Sequence, residues 1–289
     1  MSESLKYISP ETQVVPQSSR DYSAMLTKLE FLDKSGNEAS KEEFINERLQ
    51  ELESTSEPKR ISLPFNNKHF GFIHPKSEVK RSMMVDGFLL DDSEVYKTFL
   101  DALTELQNNP SWKDVSLRQM MSMAIQYGIG KYFGNITATA NTENRNRQFY
   151  MDHSSADSDP ISIKDFKDKK MGVCAEKAAV AQNLLSFVGI DSYLINSSKC
   201  KFVSGDEAHA YNLLATEKGY FIYDPTNPHL SINKETDQII NYGPAIYPIS
   251  EEQFNSIKNG GTVEVEHSDE YQGPTGRVER EITKRVYGG

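Results

Sequence analysis

The sequence is poor in several residue types and patterns, and each shortage excludes a class of protein. It has only 2 cysteines in 289 residues, too few for the disulfide framework of a small secreted scaffold. No apolar run approaches the roughly 18 residues of a membrane-spanning helix, and the opening MSESLKYISPETQ lacks the apolar segment of a signal peptide. The net charge of −10 is opposite to the basic excess that binding to nucleic acid or anionic membranes requires. We therefore expect a soluble protein that is cytoplasmic, or exported without a classical signal peptide, with neither nucleic acid nor membrane as a partner.

The N-terminal part is predicted to be an arm followed by helices. Residues 1–38 are rich in Ser, Glu and Gln with few clustered apolar side chains, which predicts a flexible arm. The run SKEEFINERLQELE has the capping residues of a helix that begins after Ser40. A second helix is predicted after Ser93, where SEVYKTFLDALTELQ has an apolar face. We expect residues 39–114 to form a mainly helical N-terminal extension.

Residues 115–260 combine helical and strand patterns and are expected to form one domain. SLRQMMSMAIQYGIGKYF predicts a helix after Ser116, and MGVCAEKAAVAQNLLSFVGI predicts one over residues 173–188. Between them, the polar and Asn-rich segment Gly134–Ser158 predicts a surface loop.

Three short segments after this second helix are predicted to be strands. DSYLINSS, EAHAYNLLAT and GYFIYDPT are rich in aliphatic and aromatic residues and bounded by Gly, Asp or Pro. Gly219, between the last two, predicts a hairpin turn. SEEQFNSIKNGG predicts a short helix with a capping box of Ser250 and Gln253. From Gly261 the sequence turns polar, and residues 261–289 are expected to be a polar C-terminal tail.

Cys174 lies in the first turn of the helix predicted over residues 173–188. The backbone N–H groups there have no intrahelical partner, and the positive end of the helix dipole favours an anion. A thiolate is such an anion, and cysteine pKa values fall at helix N-termini. The same N–H groups can stabilise an oxyanion. The position therefore suits a cysteine nucleophile.

A nucleophilic thiol needs a base and a group that orients the base, and two residues further along the chain fit these roles. His209, in EAHAYNLL, is predicted to share a strand face with Tyr211 and Leu213, with small alanines on either side. Asp224 ends the next predicted strand, in YFIYDPTNP. A hairpin can bring these two side chains together. Asp224 before Pro225 also fits a simple turn, and one residue can do both.

These motifs, GVCAEKAAVAQNLLSFVGIDSYLI, EAHAYNLL and GYFIYDPT, resemble the core of the transglutaminase-like superfamily, which has a papain-like cysteine-protease fold. The match covers under a third of the chain, with Tyr211 where many members carry tryptophan. The resemblance implies an α+β fold in which a helix carrying Cys174 packs on an antiparallel sheet carrying His209 and Asp224. Residues 115–260 would then be the catalytic domain.

The resemblance also implies an activity. Cys174 would attack an amide carbonyl and His209, oriented by Asp224, would protonate the leaving amine. The favoured function is a cysteine protease acting on a protein or peptide substrate, with no cofactor and no metal. Alternatives are a transglutaminase or deamidase acting on Gln side chains, and a catalytically inactive binding module on the same fold. For an additional oxyanion donor, Gln148, Tyr150 and a backbone amide are all open.

The same residues also allow other interpretations. Cys174 and His209 can be ordinary core residues, and a zinc site lacks the usual paired Cys or His spacing. A Cys174–Cys200 disulfide is the single bridge that the composition allows. Cys200, between two lysines, is interpreted as a surface or strand-end thiol. His267 has no local partner in the sequence that marks it as functional.

Overall fold

Helices precede strands along most of the chain, which is the pattern of an α+β protein. The computed structural model describes residues 59–61, 88–90, 94–110, 117–134, 140–153, 161–187, 190–203, 205–216, 219–236 and 238–289. The helices there are α1 Glu94–Asn108, α2 Leu117–Phe133, α3 Ala140–His153, α4 Ile163–Asp168, α5 Cys174–Phe187 and α6 Glu251–Lys258. The strands are β1 Lys59–Ile61, β2 Phe88–Leu90, β3 Ile161–Ser162, β4 Asp191–Phe202, β5 Gly205–Thr216, β6 Gly219–Asn233, β7 Gln238–Ile249, β8 Thr262–Gln272 and β9 Val278–Gly288.

The main sheet has six strands in the order β5-β4-β9-β8-β6-β7, and β5 also pairs with β6. Five of the strands therefore close into a ring, and β7 extends it from β6. The pairings are antiparallel except that of β6 with β8. The ring is weakest between β4 and β9, where one residue pair, Lys201 and Val286, joins the strands. A small separate sheet contains β1, β2 and β3.

Two apolar clusters cover opposite faces of the main sheet. Along β5, Ala210 and Leu214 belong to a cluster shared with α1, α2 and α5. Tyr211 and Leu213, which alternate with them, belong to a second cluster shared with α6, β8 and β9. This period of two is that of a strand buried on both faces. The cysteine-bearing α5 packs against β4, β5 and β6, so the expected arrangement of a helix on an antiparallel sheet is confirmed.

Several elements agree with the sequence predictions. Helices α1, α2 and α5 and strands β4, β5 and β6 lie at the predicted places. Gly219 has a positive φ of 128° at the β5–β6 turn, a backbone conformation that glycine adopts without strain. Ser250 and Gln253 form the predicted capping box of α6. The arm over 1–38 and the helix after Ser40 lie outside the described residues.

The prediction of a polar tail over residues 261–289 is wrong, because most of this segment forms β8 and β9. The first residues of β8 alternate between exposed and buried, with Val263, Val265 and His267 facing inward. The outward positions carry the charged residues that made the segment look like a tail. A strand needs apolar side chains on one face only, so its average composition can be polar.

The predicted surface loop between Gly134 and Ser158 is also wrong in its larger part, since residues 140–153 form α3. Three of its side chains are buried: Asn146, and Phe149 and Tyr150, which lie three and four positions after it. They occupy one side of the helix. Because this buried stripe is narrow and includes an asparagine, the polar residues around it make the segment look like a loop in the sequence.

Candidate active site

The β5–β6 hairpin brings His209 and Asp224 into direct contact, as predicted. The two strands pair from Thr216 and Gly219 at the turn to Asn212 and Tyr223. Beyond that register, Nε2 of His209 lies 2.8 Å from Oδ2 of Asp224. Both side chains are inside the protein, with 4% of His209 and none of Asp224 exposed.

Asp224 is held by hydrogen bonds at both carboxylate oxygens. Oδ1 accepts the backbone N–H groups of Thr226, at 2.9 Å, and Asn227, at 3.2 Å, so the residue forms the predicted turn as well. Oδ2 accepts Nε2 of His209, the Tyr287 hydroxyl at 2.7 Å and the Asn227 amide at 3.1 Å. Burial works to raise the pKa of the carboxyl, but the His209 charge and these bonds hold the pKa well below its usual range. Asp224 therefore stays ionised.

His209 is bonded to this carboxylate, and its pKa responds both to Asp224 and to the nearby thiol of Cys174. Burial works to lower the pKa of its imidazole, whereas the charge and hydrogen bond of Asp224, and then a hydrogen bond with Cys174, raise it. The outcome is a pKa well above the usual histidine value. Because Nε2 is bonded to Asp224, Nδ1 is the ring nitrogen available to the thiol. A protonated imidazole at this place stabilises a thiolate.

Cys174 is the first residue of α5 and is half-buried. The glycine two positions before it is required by the packing of α2. A Cβ on Gly172 would lie 2.3 Å from Cγ of Phe133, a distance that no side chain allows. The glycine of the G-x-C motif therefore lets α2 pack directly against the segment that leads into the cysteine helix.

The start of α5 is fixed by Glu176, which is fully buried. Its Oε2 accepts the N–H of Val173 at 2.9 Å, as a residue at the third helical position does in a capping box. The same oxygen accepts the Asn146 amide at 3.1 Å, and Oε1 accepts the Tyr150 hydroxyl. Helix α3, in the segment predicted to be a loop, thus anchors the turn that presents Cys174.

Tyr150 and Gln148, the two side chains predicted as possible oxyanion donors, each have another hydrogen-bond partner. The Tyr150 hydroxyl is bonded to Glu176. Gln148 is exposed, and its amide donates to Asp152 at 2.7 Å. The third candidate, a backbone N–H in the first turn of α5, is the one that these contacts leave.

Two further polar bonds tie the helices to the strands that carry His209 and Asp224. Asn212 of β5 donates to the carbonyl of Ala178 in α5 at 3.0 Å. Gln126 of α2 donates to the carbonyl of Pro225 at 2.8 Å, directly after Asp224. Each bond is buried, so the relative positions of helix and strand are set by partners that cannot exchange with water.

Cys200 lies near the end of β4, which fits one of its two predicted places, but it is buried there, so the alternative of a surface thiol is wrong. The flanking lysines point outward while the thiol points into the second apolar cluster, as the alternation of a strand requires. Burial raises the pKa of its thiol. Both cysteines are free, so the Cys174–Cys200 disulfide is not formed.

Lys177 lies one turn after Cys174 and is fully buried, an uncommon position for a lysine. Burial lowers the pKa of its ammonium from 10.5 to about 8, against the attraction of the Cys174, Glu176 and Asp224 charges. The ammonium adds positive charge near the thiol. Nothing in the sequence pattern distinguishes this lysine from a solvated one.

A pH-dependent stability difference is expected for Lys177→Met. Between about pH 8 and 10.5 the unfolded chain keeps the Lys177 proton and the folded chain has lost it, so the wild type gains stability as the pH rises. The variant lacks this gain, and its free energy of unfolding should fall relative to wild type by up to about 3 kcal/mol across that window. Urea unfolding at several pH values measures the difference. Lys97→Met, at an exposed position, is the control. If the free energy of unfolding changed with pH in the same way in both variants, the lowered pKa of Lys177 would be contradicted.

Two kinds of feature are absent from the described residues. No group of three or more His, Cys, Asp or Glu side chains is arranged to hold a metal ion there. No helix among α1–α6 is long and apolar enough to cross a membrane.

Comparison with known proteins assigns no family. No protein-family model matches the sequence, and no curated protein matches it. The case for a function therefore depends on the residues and contacts of this chain.

Proposed function

We propose that the chain is a thiol acyl hydrolase of the transglutaminase-like type, with Cys174 as nucleophile, His209 as acid and base, and Asp224 as the orienting group. The observation that carries the proposal is the buried 2.8 Å bond between Nε2 of His209 and Asp224, beside a Cys174 thiol near enough to help raise the pKa of the same imidazole. The proposal includes a papain-like fold, in which the start of a helix presents the thiol to a sheet. The substrate proposed is an amide of a protein or peptide.

The first half of the reaction transfers the acyl group to the thiol. The Cys174 thiolate attacks the amide carbonyl, and the oxyanion is stabilised by backbone N–H groups at the start of α5. His209, held protonated by Asp224, gives its Nδ1 proton to the leaving amine as the C–N bond breaks. A thioester on Cys174 and a free amine result.

The second half returns the enzyme to its starting state. His209, now neutral, takes a proton from water, which attacks the thioester carbonyl. The C–S bond breaks, the carboxylic acid leaves and the thiolate is restored beside the imidazolium. An amine in place of water would give transamidation by the same residues, and the triad does not distinguish the two acceptors.

Selective alkylation of Cys174 tests the proposal without knowledge of the substrate. Intact protein is treated with iodoacetamide at about pH 6, where an ordinary thiol of pKa about 8.5 is almost wholly protonated. We expect one fast adduct, located at Cys174 by peptide mapping. The buried Cys200 should react far more slowly, because its thiol is both shielded and of raised pKa.

The matched variants are Cys174→Ala, which should lose the fast adduct, and His209→Ala, which should slow it. Peptide and protein substrates, each with and without a primary amine donor, then separate hydrolysis from transfer. Amine incorporation would identify a transglutaminase. Equal, slow alkylation of both cysteines in the wild type would instead favour the inactive binding module.

A further inference from the structure

The last strand of the sheet supplies a residue to the candidate triad. Tyr287, in β9, is fully buried and its hydroxyl donates to Oδ2 of Asp224 at 2.7 Å. This is the oxygen that is bonded to His209. Burial and the neighbouring Asp224 charge raise the pKa of Tyr287 well above its usual value, so the hydroxyl keeps its proton and acts as a donor.

We propose that Tyr287 is a positioning residue that orients the Asp224 carboxylate toward His209. The catalytic role of this bond rests on the proposed function, whereas the bond itself is seen in the structure. Backbone N–H groups fix Oδ1, but Oδ2 is the oxygen that meets the imidazole. The Tyr287 hydroxyl limits rotation of that oxygen away from His209, which keeps the imidazole in the orientation that leaves Nδ1 for the thiol.

Aromatic neighbours hold the Tyr287 ring itself. Its centroid lies between 4.9 and 6.2 Å from four other rings, those of Phe202, His209, Tyr211 and Tyr247. A ring packed on this many sides has little freedom to swing. The hydroxyl is therefore presented to Asp224 from a fixed place.

The backbone of Tyr287 is fixed as well. The carbonyl of the next residue, Gly288, accepts the Tyr211 hydroxyl at 2.9 Å, and the N–H of Gly289 donates to Gly261 at 2.9 Å. A Cβ on Gly288 would lie 2.7 Å from Cβ of Lys199, so the glycine permits the close approach of β4.

A second buried histidine, His267, contacts Tyr247, which in turn packs against Tyr287. The Tyr247 hydroxyl is hydrogen-bonded to Nδ1 of His267, and the centroid of its ring lies 5.7 Å from that of Tyr287. His267, only 1% exposed, is held by Asp269 through a 2.9 Å bond at Nε2. His267 and Asp269 thus lie at the far end of a row of contacting side chains that runs through Tyr247 and Tyr287 to Asp224.

The test uses a readout that requires no substrate. The pKa of His209 is measured by NMR titration of the six histidine rings, with His209→Ala to assign the signal. In Tyr287→Phe we expect this pKa to fall toward 6.5, because a less well-oriented carboxylate stabilises the imidazolium less. Any hydrolase activity that is found should fall about 10-fold in kcat with KM unchanged.

Tyr96→Phe is the control. It removes the hydroxyl of a tyrosine that is buried in the other apolar cluster and bonded to Asn183, so it should leave the His209 pKa unchanged. Tyr247→Phe, which loosens Tyr287 without removing its hydroxyl, should lower the His209 pKa by a smaller amount. An unchanged or raised His209 pKa in Tyr287→Phe would overturn the proposal.

The double variant Tyr287→Phe with Asp224→Asn shows whether Tyr287 acts through Asp224. The tyrosine substitution should then change the His209 pKa no further, and additive changes would count against the proposal. A pKa that falls as expected in a protein with no fast Cys174 alkylation would leave Tyr287 as a positioning residue while the hydrolase function failed. The two failures are therefore distinguishable.

Discussion

Cys174→Ala is expected to reduce turnover of a protein or peptide substrate by on the order of 10⁴-fold or more. The reason is that the proposed reaction passes through a thioester on Sγ, and no other described thiol can replace it. Cys200 is buried in β4, and its raised pKa disfavours the thiolate. The loss should appear in kcat, measured under single-turnover conditions, while substrate binding persists.

Cys200→Ala is the matched control for that loss. It removes the other cysteine of the chain and should keep turnover within a few-fold of wild type. Retained turnover in Cys174→Ala would show that another group carries the chemistry. Loss in both variants, together with a lower melting temperature in both, would point to a damaged fold.

Asp224→Asn is expected to reduce kcat by on the order of 10³- to 10⁴-fold. Both oxygens of the Asp224 carboxylate accept hydrogen bonds. In asparagine one of these oxygens is replaced by an NH2 group, which cannot accept and would face one of the same donors. His209 then loses the charge that raises its pKa and the bond that fixes Nε2–H, so the wrong ring nitrogen can face the thiol. Turnover and iodoacetamide labelling at about pH 6 measure the effect.

The same variant should alter the pH dependence of stability. The pKa of Asp224 is lower in the folded chain than the ordinary 3.8, so its contribution is present above that value and is lost as the pH falls. The pKa of His209 is higher than the ordinary 6.5, so its contribution is complete below that value and is lost as the pH rises through the folded pKa. The His209–Asp224 pair thus stabilises the folded chain most between pH 3.8 and pH 6.5.

Urea unfolding over a pH series should therefore show both limbs in the wild type and a flatter profile in Asp224→Asn. Asp206→Asn is the control, since Asp206 is an exposed residue of β5 whose ion pair with Lys201 lies at the surface. Parallel pH profiles for wild type and Asp224→Asn would contradict a strong His209–Asp224 coupling. This measurement needs no substrate.

The contact between His209 and Asp224 could be predicted from sequence because its determinants are local. Cys174 was found from its place at a helix start, His209 from a strand between small residues, and Asp224 from the end of the next strand. The β5–β6 hairpin turns on Gly219, and a short turn sets the pairing of the strands that follow it. Three residues far apart in number could thus be placed together from short-range rules.

The supports of the triad could not be found in this way. Glu176 gave a partial signal, since it stands at the third position of α5, where a carboxylate caps a helix. Its partners Asn146 and Tyr150 come from a segment whose composition indicates a loop. Burial of Lys177 depends on elements that cover it from elsewhere in the chain.

The sequence by itself thus identified the candidate nucleophile, histidine and aspartate, along with the helices and strands that carry them. Only the tertiary structure decided what holds Asp224 in place, since Tyr287 comes from a segment that looks like a polar tail and lies 63 residues away. The physical reason is that local periodicity reports which side of an element is buried. It does not report which distant element buries that side, and the hydrogen bond from Tyr287 to Asp224 depends on where β9 joins the sheet.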